Sequence, residues 1–303
     1  MISFKILTEA AREELLDEIE ERTPGADFHL AEDNLDAFLA KDDGVEYAVG
    51  HSHGCMLFRV FDGEYSFLYP LPLRFDADMT SAAAEIRAYA VKEEIPLVFL
   101  DVPVEELSNL LPTFRHANID AADEENRYFT VRVMSEAALL GELPTCEGDR
   151  GVDLTPLTEA DDEIYARLCK DEDTNRYWGF DYIEDEPNPT DSYFRENAES
   201  EFYRGVSICL AVRVNEVFAG EAILYAFDLL GGCECAVRLL PAFRRKGYAT
   251  ESLDMLKELA RNMGMLYLYA TVAAENKASV HLTRKCLSEV YSDGKIVKFK
   301  EKL

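Results

Sequence analysis

The stretch Arg244-Arg-Lys-Gly-Tyr-Ala-Thr250 restricts the fold of this chain more than any other. It follows an apolar run (Ala236, Val237, Leu239, Leu240), passes Pro241, and opens a helix-patterned segment through Leu253, Leu256, Leu259, Ala260 and Met263. The order is strand, basic turn, helix. A helix N-terminus offers unpaired amides and a partial positive charge, both of which favour an anion. Gly247 lets main chain approach a ligand with no Cβ in the way. Arg244, Arg245 and Lys246 place three cations there in a chain whose formal charge is −28. Neither Gly-x-x-x-x-Gly-Lys-Ser/Thr nor Gly-x-Gly-x-x-Gly is present, so the turn is a phosphate site of neither the P-loop nor the dinucleotide type.

The pattern Arg244-x-x-Gly247-x-Ala249 resembles the acyl-CoA pyrophosphate loop of the GNAT acyltransferase superfamily. The wider run from Glu234 to Leu253 is similar to the subgroup containing the ribosomal-protein-alanine N-acetyltransferases, with matching places for Glu234, Pro241, Arg244, Gly247, Tyr248, Ala249, Thr250, Glu251 and Leu253. The resemblance covers about 151–303. It implies a donor site for acetyl-CoA built from Leu239, Arg244, Arg245, Lys246, Gly247, Tyr248, Ala249 and Thr250. Asn276 and Ser279, in Asn-x-x-Ser spacing, belong beside the cofactor on the same grounds. Two departures stand out. Leu287-Ser288 replaces the Gly-Phe that usually ends the last helix, so the final strands are open to a different closure. Thr283 stands where many relatives carry a tyrosine that serves as general acid, leaving Tyr291 and Ser279 as substitutes.

Downstream, Gly264 reads as a helix C-cap, and Leu266, Leu268, Ala270 and Val272 alternate as a half-buried strand. Upstream, Gly151 to Asp161 reads as a strand and a capped helix start, with Thr158 or Asp161 as cap. Helices are expected over roughly 160–171 and 192–203, and strands over 207–214, 217–228 and 233–240, with Asn215-Glu216 at the first turn. The fold class is α/β (α+β). A divide near 135–150, where Gly141, Pro144 and Gly148 break periodicity, separates domains at 1–140 and 150–303.

The first half carries a helix at 8–21, another near 31–41, and a strand meander at 45–51, 55–61 and 64–71. A helix near 79–94, a strand at 97–102, a short helix at 104–111 and a strand at 127–134 follow. This order repeats that of the second half. The half is faintly similar to the acyltransferase-like region of phosphatidylglycerol lysyltransferases at Tyr65-Ser-Phe-Leu-Tyr-Pro70. The expected whole is a tandem of GNAT-like domains, each a mixed, largely antiparallel sheet flanked by helices, the first degenerate. Where its phosphate turn belongs, Pro70 to Asp78 offers no glycine and two aspartates, which repel pyrophosphate.

Charge excludes nucleic acid as a partner, since no basic face is available to neutralise phosphates. An amine-bearing acceptor suits the field better. Residues 1–150 hold 32 acids against 12 bases, and the remainder 27 against 19, so the anion-binding half is the less negative one. No apolar run spans a membrane, no signal sequence opens the chain, and seven cysteines without framework spacing suit a reducing cytoplasm. Cys233 and Cys235 read as small buried hydrophobes. His51 and His53 share a strand face, but no further ligand has matching spacing, so no metal is expected.

Acetyl transfer to an amine needs a proton acceptor, because an alkylamine with a pKa of about 10.4 is protonated at neutral pH. Glu234, ten residues before Arg244 on the preceding strand, is the candidate base, or else a surface glutamate. Cys286 belongs to the core and is no nucleophile, as His281 lies off its helix face. Asn175-Arg-Tyr177-Trp178-Gly-Phe180-Asp-Tyr182 is either a core plug or an aromatic wall of the acceptor groove, flanked by Asp181, Glu184, Asp185 and Glu186. Glu-rich runs at 13–21 and 121–125 read as solvated faces. The function expected is an acetyl-CoA-dependent N-acetyltransferase acting by direct attack on a primary amine of a small molecule or peptide N-terminus. The alternatives are a non-catalytic acyl-CoA-binding or interaction protein, and an aminoacyl or other acyl transferase. The sequence leaves the oligomeric state open.

Overall fold

The computed structural model describes residues 5–22, 36, 45–48, 55–62, 65–72, 87–103, 117–123, 128–133, 140–178 and 188–303. The chain divides into two units, residues 1–136 with 228–230, and residues 137–227 with 231–303.

The first unit contains β1 (Lys5–Ile6), α1 (Glu9–Arg22), β2 (Val45–Ala48), β3 (Cys55–Asp62), β4 (Tyr65–Pro72), β5 (Leu97–Pro103), β6 (Ala117–Asp123) and β7 (Tyr128–Val133). Its sheet runs β1-β2-β3-β4-β5-β7-β6. Neighbours are antiparallel except β4 and β5, which pair in parallel through Phe67↔Leu97 and Leu68↔Val98. In α1, Leu15 is buried, as its place on the apolar side requires. Strand β6 was not expected. Its Ala- and Asp-rich sequence has poor strand propensity, yet it pairs along β7 through residues 117–123, with a bulge between Ile119 and Ala121. The helix near 31–41 (Asp36 apart), most of that near 79–94, the one at 104–111, His51-Ser-His53 and residues 73–78 lie outside the described residues.

The second unit holds β8 (Cys146–Glu147), β9 (Val152–Thr155), a 3-10 turn (Glu159–Asp161), α2 (Asp162–Lys170), α3 (Glu172–Asn175), α4 (Tyr193–Tyr203), β10 (Ser207–Val214), β11 (Val217–Tyr225) and β12 (Gly232–Leu239). A second 3-10 turn (Pro241–Phe243), α5 (Tyr248–Asn262), β13 (Tyr267–Ala273), α6 (Lys277–Cys286), β14 (Ser288–Ser292) and β15 (Ile296–Lys302) complete it. The sheet order is β14-β15-β13-β12-β11-β10-β9-β8. All neighbours are antiparallel except β12 and β13. The two closing strands pair as a hairpin despite Leu287-Ser288.

Local chemistry accounts for these elements. Asn215 and Glu216 both take positive φ (49° and 67°), the turn that matches strand twist in a two-residue hairpin. Thr158 donates from its backbone and its hydroxyl to Asp161 Oδ2, both at 2.8 Å, and fixes the entry to α2. Helix α5 ends in a Schellman motif. Gly264, at φ 81°, donates to Arg261, and Met265 donates to Ala260. Leu266 follows that turn and is 54% exposed, so the buried alternation starts at Leu268, two residues later than the pattern predicts.

One face of this sheet is covered by α2 and α4, through Tyr165, Leu168, Phe194 and Ala198 against Cys209 and Ala211. Helix α5 packs on β9, β11 and β12, and α6 on β13 and β15. Cys233 and Cys235 are buried, as expected for small core residues. At Gly220 the strands come closest. A Cβ there would lie 2.2 Å from the Arg238 carbonyl oxygen and 2.8 Å from Leu239 Cα, main-chain atoms that cannot swing away. Gly220→Ala is therefore expected to destabilise the second unit by about 3 kcal/mol, lowering its melting temperature by roughly 6–12 °C. A thermal scan showing less than about 2 °C of change would contradict that close approach.

Candidate active site

Strands β12 and β13 pair through only three positions, Gly232↔Tyr267, Cys233↔Leu268 and Glu234↔Tyr269. Beyond them β12 continues to Leu239 paired only with β11, and β13 continues to Ala273 paired only with β15. The sheet therefore opens a wedge whose foot is Glu234. Beyond that ladder the two inner edges do not pair with each other, and the Tyr269 carbonyl accepts from Cys235 Sγ at 3.3 Å.

Glu234 is half-buried. Its Oε2 accepts from Tyr225 Oη at 2.8 Å, and its Oε1 from Thr271 Oγ1 at 3.2 Å. Burial, and then the Glu234 charge, pushes the Tyr225 phenol well above its ordinary range, so Tyr225 stays a hydroxyl donor. The carboxylate is held from two strands with both oxygens engaged, which differs from an idle surface glutamate. Sequence reasoning did not single out Tyr225. Only the β11–β12 register, which brings Tyr225 opposite Glu234, reveals it.

At the other end of β12 the chain turns. Arg244 is not a free cation: its Nε donates to the Leu239 carbonyl at 2.8 Å and its Nη2 to Thr174 Oγ1 at 2.9 Å. The residue that resemblance assigns to the cofactor is bonded here within the turn and to α3. Arg245 and Lys246 are exposed, Lys246 lying 5.8 Å over the Phe243 ring. Arg245 sits at φ 61° and Gly247 at φ 90°, the left-handed region that brings successive amides round to one side. Among the described residues, no carbonyl or side chain accepts from the amides of 245–250, the first bond of α5 being Glu251 N–H to Gly247 at 3.2 Å. Tyr248, Ala249 and Thr250 form the opening turn of α5. This cradle of unpaired donors with Gly247 at its centre fits a diphosphate.

Arg150 was also missed. Its guanidinium Nη1 lies 3.3 Å from where a Cβ on Gly247 would be, and its amide donates to Glu251 Oε1 at 2.9 Å. A further cation thus stands over the turn from a segment 101 residues upstream of its anchor. Asn276 caps α6, its Oδ1 accepting from the Ser279 amide at 3.1 Å. The Asn-x-x-Ser spacing therefore has a local structural explanation at the head of α6, whatever else the pair binds.

Thr283 is buried, and Tyr291 sits on the exposed edge strand β14. Cys286 is half-buried. Burial, then the neighbouring Asp254, pushes its thiol up to about 11, which keeps it protonated and unreactive near neutrality. Of the aromatic run, Trp178 is described and partly exposed, packed on Arg238, while residues 179–187 lie outside the described residues. No described helix is long and apolar enough to cross a membrane.

Residues 152–286 match the family model described as the acetyltransferase (GNAT) domain. No curated protein matches the chain. Among solved structures, it is similar to the ribosomal L7/L12 alpha-N-protein acetyltransferase RimL in complex with coenzyme A, at 13% identity over 53% of this chain and 98% of that one, with a TM-score of 0.45. Mycobacterium smegmatis RimJ in complex with CoA-disulfide is 16% identical over 52% of this chain and 87% of that one, TM-score 0.45. Spermidine N-acetyltransferase from Vibrio cholerae in complex with CoA and spermine is 17% identical over 51% and 96%, TM-score 0.43. On the family match, this chain carries across residues 152–286 an acetyltransferase domain of the GNAT superfamily.

Proposed function

We propose that the second unit transfers the acetyl group of acetyl-CoA to a primary amine by direct attack, the amine belonging to a small molecule or to a peptide or protein N-terminus. One observation carries this reading. A single strand begins its wedge at a doubly held carboxylate and ends at a turn of unpaired amides. Five residues separate Glu234 from Leu239, roughly 16 Å of strand, which suits an extended donor with its anionic end at the turn.

When bound, acetyl-CoA supplies the acetyl group as a thioester with a thiol as leaving group. The amides of 245–250, with the cations of Arg245, Lys246 and Arg150, hold its diphosphate. Arg244 shapes the turn through Leu239 and Thr174. Leu239 and the inner edges of the wedge orient the donor's amide-bearing arm, and Asn276 and Ser279 flank it at the head of α6. Glu234 takes the proton the attacking amine releases, directly or through one water. Tyr225 and Thr271 keep the carboxylate aimed. The field of a −28 chain favours a cationic amine, and seven cysteines suit a reducing cytoplasm.

The first unit reads as a degenerate copy of the second. Its seven strands follow the order of the second unit's last seven, with the one parallel pair again between the fourth and fifth. Where the turn belongs, its sequence offers Pro70 to Asp78, with two aspartates and no glycine. Titration calorimetry on the full chain is expected to give one acetyl-CoA per chain. Two sites would overturn the degenerate-copy reading, and none would overturn the donor site itself.

A second reading, a module that binds acyl-CoA without turnover, draws on the buried Thr283 at the position where relatives place a tyrosine. A thiol-release assay against polyamines, aminoglycosides and peptides separates the two. Release with any acceptor supports the enzyme, and tight binding with no release supports the module.

A further inference from the structure

We infer that Arg238 is a positioning residue that holds Trp178 as a wall of the channel for the donor's pantetheine arm. The inference rests on the donor site proposed above. Arg238 lies on β12 four residues beyond Glu234, so both side chains leave the same face of the strand. That interval is roughly 13 Å toward the phosphate-binding turn. Whatever Arg238 presents therefore stands alongside the stretch any donor must cross between the turn and Glu234.

Arg238 is 5% exposed and its cross-strand partner Glu221 is fully buried. Its Nε and Nη2 both donate to Glu221 Oε2, at 3.0 and 2.7 Å, and Nη2 also reaches Cys169 Sγ at 3.1 Å. Its Nη1 donates to Asn175 Oδ1. The guanidinium face carries the Trp178 indole, with Cζ 4.3 Å from the ring centroid. Asn175 is itself fixed, its amide donating to the Leu168 and Cys169 carbonyls at 3.2 and 2.7 Å, while Trp178 N–H donates to the Asn175 carbonyl at 2.8 Å. The turn that bears Trp178 thus hangs on Arg238 twice, through the amide of Asn175 and through the ring.

A buried ion pair is a poor device for stability, because an apolar pair of equal volume avoids its desolvation cost. What the planar guanidinium supplies is geometry: an edge for Glu221 and Asn175 and a flat face for the indole. Cys169 does not compete with this, since burial pushes its thiol up to about 12 and leaves it uncharged. Arg244 fastens the same turn to the phosphate-binding loop through Thr174. Trp178 is the one tryptophan in the chain, so tryptophan emission reports the surroundings of this ring.

The test is emission and calorimetry on the full chain with two probes, coenzyme A and adenosine 3′,5′-bisphosphate, which lacks the arm. Coenzyme A is expected to shift Trp178 emission, and the bisphosphate to leave it unchanged. Trp178→Leu, which keeps the ion pair, should weaken coenzyme A by about fivefold or more while leaving the bisphosphate Kd as it was. A double variant, Glu221→Leu with Arg238→Met, removes the pair without stranding a charge. It should lose the emission shift and show the same selective weakening. Coenzyme A binding with no emission change, an equal loss for both probes, or a shift produced only by an amine acceptor would overturn the inference. No binding of coenzyme A to the wild-type chain would instead sink the donor-site reading on which it rests.

Discussion

Gly247→Val is expected to weaken acetyl-CoA binding by about tenfold to a hundredfold while leaving the melting temperature near that of the parent. Gly247 holds φ 90° and ψ −8°, where a β-branched residue is strained by about 1–3 kcal/mol. The added side chain would also reach toward Arg150 Nη1, 3.3 Å from the first carbon it brings. The turn is exposed, so the strain is relieved by swinging its amides apart, and the core is spared. That rearrangement disperses the unpaired donors of 245–250, which act only as a convergent set. Gly141→Ala serves as the control, since a Cβ there meets nothing within 4 Å. An acetyl-CoA Kd for Gly247→Val within twofold of the parent, by calorimetry, would remove the turn from the binding site.

The second large effect concerns Glu234. Glu234→Gln preserves shape and both hydroxyl contacts, because Tyr225 and Thr271 can each donate or accept. What it removes is the capacity to take a proton. The expected result is a fall in kcat of about 10² to 10³, the usual span for loss of a general base, with the acetyl-CoA Kd unchanged. A variant that turns over within a few-fold of the parent would assign the proton elsewhere. Measuring Kd and kcat separately is essential, because a distorted strand would disturb both.

The turn was readable from sequence because its determinants are local. Pro241 breaks the strand, Gly247 occupies positive φ and Gly264 ends the helix, each within a few residues of the element it controls. The hairpin at Asn215-Glu216 was readable for the same reason. Arg150 and Tyr225 were not, because tertiary pairing brings them in. Arg150 is anchored to Glu251, and Tyr225 meets Glu234 only through a register that the intervening connection of six residues leaves open. Strand β6 escaped notice because pairing with β7 overrides the weak strand preference of Asn118 to Asp123. The sequence placed Arg244 at the donor, and the geometry shows its guanidinium engaged by Leu239 and Thr174.

The short lacing of β12 to β13 has a consequence for solubility. Strand margins with spare amides and carbonyls ordinarily sit at the rim of a sheet, where they recruit other chains into fibrils or swapped dimers. Here those margins lie in the interior of an eight-stranded array, with β11 and β15 guarding their far sides. A neighbouring molecule cannot extend the sheet through them. The domain therefore keeps open strand margins without advertising them to copies of itself.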